Sequence, residues 1–130
     1  MSPGLALVFW CLALFEAKHF LCDYVLQTRY QYLNKGIYGH PGGLIHAGIH
    51  AAGSIGPVLV LTDTAWLAAS LIAAEFAVHY HTDWLKEQIN KRRGLSYDDA
   101  LFWAVFGADQ FIHQMTYVVM IVVLAREAGL

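Results

Sequence analysis

Charge is what this sequence has least of. Only 14 % of its 130 residues are Asp, Glu, Lys or Arg, against about a quarter in an ordinary soluble domain. The formal net charge is −2, so there is no broad basic surface for nucleic acid, and a nucleic-acid partner is not expected. Cysteine is scarce too. Cys11 and Cys22 fall in one predicted helix, about 16 Å apart along its axis, too far for a disulfide. There is no P-loop, Gly-rich dinucleotide turn, nucleophile elbow or CxxC pair, which removes the activities those motifs carry. The N-terminal Met-Ser-Pro-Gly lacks a basic leader, and no small-residue cleavage site follows it. The first apolar span is therefore expected to be retained.

What fills the chain instead is apolar sequence, 58 % of it, where about 45–50 % is usual. Low charge and high apolar content together predict a membrane protein with the bilayer as its partner. Residues 1–130 read as one integral membrane domain. Four apolar segments stand out, at about 5–32, 44–61, 65–90 and 98–126. Each holds roughly 18–28 residues, and about 20 cross a bilayer as a helix. The stretch 33–43, rich in Gly, is a loop. Thr64 is placed to cap the third helix, Gly94 to end it, and Ser96–Asp99 to start the fourth. The expected fold is all-α, a four-transmembrane-helix bundle. A compact soluble bundle would need charged outer faces, and segments two and four have almost none.

Each segment is interrupted by one pair of polar residues four apart: His19/Asp23, His46/His50, His79/Asp83 and Asp109/His113. Positions i and i+4 lie on one helix face. The order also repeats, His-x3-Asp on the odd helix and His/Asp-x3-His on the even one, as in two tandem helical hairpins. Orientation follows the Lys and Arg residues. Arg29 and Lys35 lie in the first connection and Lys86, Lys91, Arg92 and Arg93 at the third, with none in the second. The positive-inside rule puts both basic connections in the cytoplasm and both termini outside, in a multi-pass protein.

Ionisable groups inside apolar spans are costly and mark functional sites. Five histidines and three aspartates converging in a bundle suit a divalent metal, with zinc first and iron or manganese as alternatives. All eight are candidate ligands or supports for ligands. His81 points away from its pair and His40 lies in the loop, so both are left out. Glu16 and Glu75 share the ligand faces without being needed as ligands, and are the proton-transfer candidates; salt-bridging to Lys18 is their alternative role. Gln27, Lys86 and Gln110 are candidates for holding substrate. The leading expectation is a metal-dependent hydrolase acting on a lipid-like or membrane-proximal substrate. A metal-ion or proton transporter or sensor is a second class. A structural or interaction subunit, whose polar groups only glue helices together, is a third. Gly48-x3-Ala52-x3-Gly56 is a small-residue stripe suited to close helix contact, within the bundle or in a homo-oligomer.

The strings HFLCDYVLQT at 19–28, HxxxH at 46–50, HTDWLK at 81–86 and ADQFIHQ at 108–114 resemble a family of small bacterial and phage integral membrane proteins. That family is catalogued as domain of unknown function 3307. The resemblance covers nearly the whole chain. It implies that His19, Asp23, Gln27, His46, His50, Asp83, Lys86, Asp109, Gln110 and His113 are the family's polar pattern here. It implies the bacterial inner membrane as the location, and no activity. A looser analogy runs to small membrane-bound metal-dependent hydrolases with His and Asp in their helices.

Overall fold

The computed structural model describes all 130 residues and contains no strand. Its elements are α1 (Pro3–Phe20), a π-helical turn (Leu21–Val25), α2 (Arg29–Asn34), α3 (Pro41–Gly53), α4 (Ile55–Leu59), α5 (Ala65–Arg93) and α6 (Ala100–Glu127). α6 packs between α1 and α5, and α3 and α4 close the ring from the other side.

The first long segment departs from its expected course. Rather than running as one helix to residue 32, α1 loosens into the π-turn, where the Leu26 N–H donates to Leu21 O, five residues back. The chain then breaks, and Thr28 starts α2 with a capping box shared with Gln31. The short loop that remains ends earlier than expected. Pro41 occupies the first turn of α3, and the His40 ring accepts from the Gly42 N–H as the cap. Proline is favoured at that position because its missing N–H would have no helical partner anyway. The second segment is not a single helix either. It divides at Ser54, three residues before Pro57, whose ring and absent N–H disrupt the preceding turn.

The capping expectations met mixed outcomes. Gly94 ends α5 in the left-handed conformation, φ 62°, with the Leu95 N–H reaching back to Asn90 O, the arrangement only glycine adopts without cost. Thr64 and Asp99 do stand at the helix starts, but neither side chain caps. Thr64 instead donates to Glu127, and Asp99 accepts from Ser96.

Two helical stretches, Pro3–Val25 and Ala100–Glu127, are long and apolar enough to cross a membrane. α3 is short, and α5 carries seven Asp, Glu, Lys and Arg residues, so the middle of the chain does not meet that measure.

The bundle has two contrasting halves. At the end where the termini meet, Cys11, Phe15, Val58, Leu67, Met120 and Leu124 form a dry core with their neighbours. The half bearing the 28–40 and 94–99 connections is filled by polar side chains. Of 31 buried residues nearly half are polar or charged, while Phe9, Trp10, Phe20, Trp66, Phe111 and Val119 are exposed. A soluble protein rarely buries Lys, Asp and Glu in such numbers.

Candidate functional site

The four polar pairs do converge. Buried faces recur at Phe15, Lys18, His19 and Cys22, at Glu75, His79, Asp83 and Lys86, and at Asp109, His113 and Tyr117, the spacing of one helical stripe. α3 adds His46 and His50 from the opposite corner.

Two aspartates organise the cluster. Asp23, carried on the π-turn, accepts from His50 Nε2 at 3.0 Å and lies 3.2 Å from His46 Nε2 and 3.3 Å from His19 Nε2. Asp83 lies 3.2 Å from His46 Nε2, 3.5 Å from His79 Nε2 and 3.9 Å from His113 Nε2, and accepts from Lys35 Nζ at 3.1 Å. His46 bridges the two aspartates, lying 3.2 Å from each. The rings are closely packed: His79 stacks on His113 with centroids 4.0 Å apart, and His50 meets His79 at 3.9 Å with the rings tilted by 34°.

Several of these nitrogens have no hydrogen-bond partner. Both ring nitrogens of His79 and of His46, Nδ1 of His50 and Nε2 of His113 are buried and unpaired. His46 Nε2 is close to two carboxylates but aligned with neither. Ligand atoms of Asp23, His46, His50 and His79 all lie within 4.8 Å of one another, as do those of His79, Asp83 and His113. These two groups, sharing His79, have the spacing that could hold a metal ion.

His19 and Asp109 fall outside both groups. His19 is held by its neighbours: Nε2–H donates to Gln110 Oε1 at 2.9 Å, and Nδ1 accepts from the Tyr117 hydroxyl at 3.0 Å. The Gln110 amide nitrogen in turn reaches Asp23 at 3.2 Å and Asp109 at 3.3 Å. Asp109 lies 3.4 Å from His113 Nε2 and 3.7 Å from Lys86 Nζ. Hydrogen bonds of this kind fix the orientation of neighbouring ligand side chains.

The two glutamates part company. Glu75 is fully buried and bound by Lys18 Nζ, which also donates to Tyr117 and to the His50 carbonyl. Its second oxygen is unpaired, and the residue lines a small cavity with His79 and His113. Glu16 stays on the half-exposed side of α1, away from the buried stripe. Gln27 donates to the Asp23 carbonyl oxygen, and lines a cavity of about 180 Å³ with Asp23, Lys35, Lys86 and Gln110. His40 and His81 lie apart from the cluster; His81 bonds Tyr38 and the Ala77 carbonyl. The small-residue stripe is not used for internal packing, since a methyl group at Gly48 or Gly56 would meet nothing within 4 Å.

Lys18, Lys35 and Tyr117 belong to the cluster although sequence reasoning did not place them there. Two carried a signal: Lys18 precedes His19 on the buried stripe, and Tyr117 follows His113 by four. Lys35 sits where the sequence reads as loop and gave none.

A family model described as a protein of unknown function (DUF3307) matches residues 11–128, and the chain belongs to that family. No curated protein and no solved structure matches it.

Proposed function

We propose that this member of the DUF3307 family is a membrane-embedded protein with a His/Asp divalent-metal centre, acting as a metal-dependent hydrolase on a lipid-like or membrane-proximal substrate. The observation that carries the metal is His79. Its ring is 1 % exposed, neither nitrogen has a partner, and five other candidate ligands surround it. Each buried, unpaired polar group costs about 1–3 kcal/mol; Nδ1 of His46, His50 and His79 has no hydrogen-bond partner, and Nε2 of His46, His79 and His113 has only unaligned carboxylates near it, which is hard to sustain as mere packing. A metal ion consumes those lone pairs. Zinc is the first choice for an imidazole and carboxylate set, with iron or manganese next.

Membrane embedding is supported by the reversed polarity of the molecule, with apolar residues outside and ionisable ones inside. In this reading all four corners of the bundle lie in the bilayer, although only α1 and α6 meet the length and apolarity measure alone. The basic connections set the polar half on the cytoplasmic side of a bacterial inner membrane, with the termini outside.

A divalent ion at such a centre activates water and polarises a phosphoryl or carbonyl oxygen. Asp23, His46, His50, His79, Asp83 and His113 hold it. His19, Gln110 and Asp109 keep those ligands oriented. Glu75, which has one oxygen free and lines a small cavity with His79 and His113, is the proton-transfer group. A transporter needs a polar route to both faces, and the dry core between Cys11 and Leu124 closes one of them.

The test is elemental analysis of detergent-purified protein beside His79→Ala. One or two equivalents of metal in wild type, lost in the variant, are expected. A well-folded wild type that takes up none after metal is supplied refutes the reading.

A further inference from the structure

The cavity beside Asp23 does not stand alone. Tyr32, Lys86 and Phe106 are common to it and to a second cavity of about 290 Å³, whose remaining wall includes Tyr97, Phe102 and Trp103. The first is polar and touches the cluster. The second is aromatic and lies at the end of the bundle, where Trp103 and Tyr97 are more than half exposed. A polar recess that shares a wall with an aromatic one suits an amphiphile, head inward and chain outward.

The charge of the head follows from the lysines. Lys35 and Lys86 are 5 % and 7 % exposed. Lys86 Nζ lies 3.2 Å from Glu87, but 3.7 Å from Asp109 and 3.8 Å from Asp83, beyond hydrogen-bond length. An ammonium has three donors, so Lys86 keeps unused capacity on the cavity wall. Asp83 is shared among Lys35, His46, His79 and His113, and once it binds metal it has little left for either lysine. The wider balance points the same way. Five carboxylates (Asp23, Glu75, Asp83, Glu87 and Asp109) face three lysines (Lys18, Lys35 and Lys86). Two divalent ions turn that deficit of two into a surplus of two positive charges inside an apolar bundle. Such a surplus is stable only with anions present.

We infer that the paired cavities bind a single-headed amphiphile bearing a phosphate group, with its oxygens between Lys35, Lys86, Gln27 and Gln110 and its chain against Phe102, Trp103 and Phe106. A phosphomonoester dianion offsets that surplus. The inference rests on the metal-centre reading and names the substrate class of that same site.

The test is calorimetric titration of zinc-loaded protein in nanodiscs with octyl phosphate, octyltrimethylammonium and inorganic phosphate, with zinc content measured on the same sample. Octyl phosphate is expected to bind about tenfold or more tighter than inorganic phosphate, because several methylenes leave water; the cation is expected not to bind. Lys86→Gln weakens both phosphates about tenfold, the scale of a charge-assisted bond. Trp103→Ala, at an exposed position that folding tolerates, removes most of the advantage of octyl phosphate over inorganic phosphate. Zinc-loaded protein that binds the cation equally, that shows no preference for octyl over inorganic phosphate, or that is insensitive to Trp103→Ala overturns the inference and leaves the metal centre standing. Protein that takes up no zinc overturns both.

Discussion

Lys18 gives the sharpest test of the buried polar architecture. Its ammonium is 7 % exposed and donates to Glu75, to the Tyr117 hydroxyl at 3.0 Å and to the His50 carbonyl at 3.3 Å, while lying 4.3 Å from the centre of the Tyr117 ring. Lys18→Met keeps the length and packing of the stem and deletes the charge. Glu75, 1 % exposed, is then a buried carboxylate without a partner. Breaking a buried pair in this way costs about 3–5 kcal/mol, which for a chain of this size is about 10–15 °C in Tm. Replacing both partners together, Lys18→Met with Glu75→Leu, leaves no orphaned charge and is expected to regain at least half of the loss. A thiol-reactive fluorogenic dye supplies the assay, because Cys11 and Cys22 are free and buried and react only as the bundle opens. A single variant within about 3 °C of wild type, or a double variant no better than the single, refutes the claim that these groups depend on each other.

Further expectations follow from particular contacts. A methyl group at Gly53 would stand 2.7 Å from Lys18 Cγ, mid-stem in a side chain pinned at its tip; Gly53→Ala should cost about 1–3 kcal/mol by overpacking. Gly48→Ala, in open space on the same helix, should gain about 0.5–1 kcal/mol, and the reverse order of the two in thermal unfolding would contradict the packing described. Deleting Leu21 should convert the π-turn to regular helix and turn Asp23 away from His46 and His50; retained helical circular dichroism with metal binding lost is the expected pair of results, and retained metal binding would count against Asp23 as a ligand. For orientation, single cysteines at Ser2 and Ser96 on a background lacking Cys11 and Cys22 should be labelled from opposite sides of oriented vesicles; labelling from one side refutes the arrangement proposed.

How far the sequence could be read depends on what kind of signal each feature left. The four polar pairs were legible because an i, i+4 spacing survives any small error in helix boundaries, and the pairs stand out against apolar neighbours. Gly94 was legible because a left-handed cap demands glycine. The π-turn left no mark: Leu21–Val25 contains neither Pro nor Gly, and a single extra residue in a helical turn changes no composition. The separate α2 did leave one, since Thr28 and Gln31 have the spacing of a capping box, and so did the break at Ser54, through Pro57. Lys35 is the hardest case. It reaches Asp83 only because α2 and the loop after it fold back over the end of the bundle, a long-range event that local periodicity does not encode. Glu16 shows the limit of a face about 80° wide, which admits neighbours that helix packing then leaves half-buried beside the buried stripe.

The uneven polarity of the helices has a consequence for how the chain enters a bilayer. α1 and α6, the first and last long helices to be made, are the two apolar enough to partition alone. α3 and α5 lie between them and carry His46, His50, Glu75, His79, Asp83 and Lys86, at a cost of about 2.5–3.5 kcal/mol for each charged residue placed mid-bilayer. Those residues find partners on α1 and the π-turn, at Lys35, on α6 and on each other. In the membrane reading, the middle of the chain cannot settle in lipid as it is synthesised, and must wait at the interface until α6 arrives. Insertion and assembly of the polar centre would then be one event, and in a chain truncated before Ala100 the α3–α5 stretch would be left at the membrane surface.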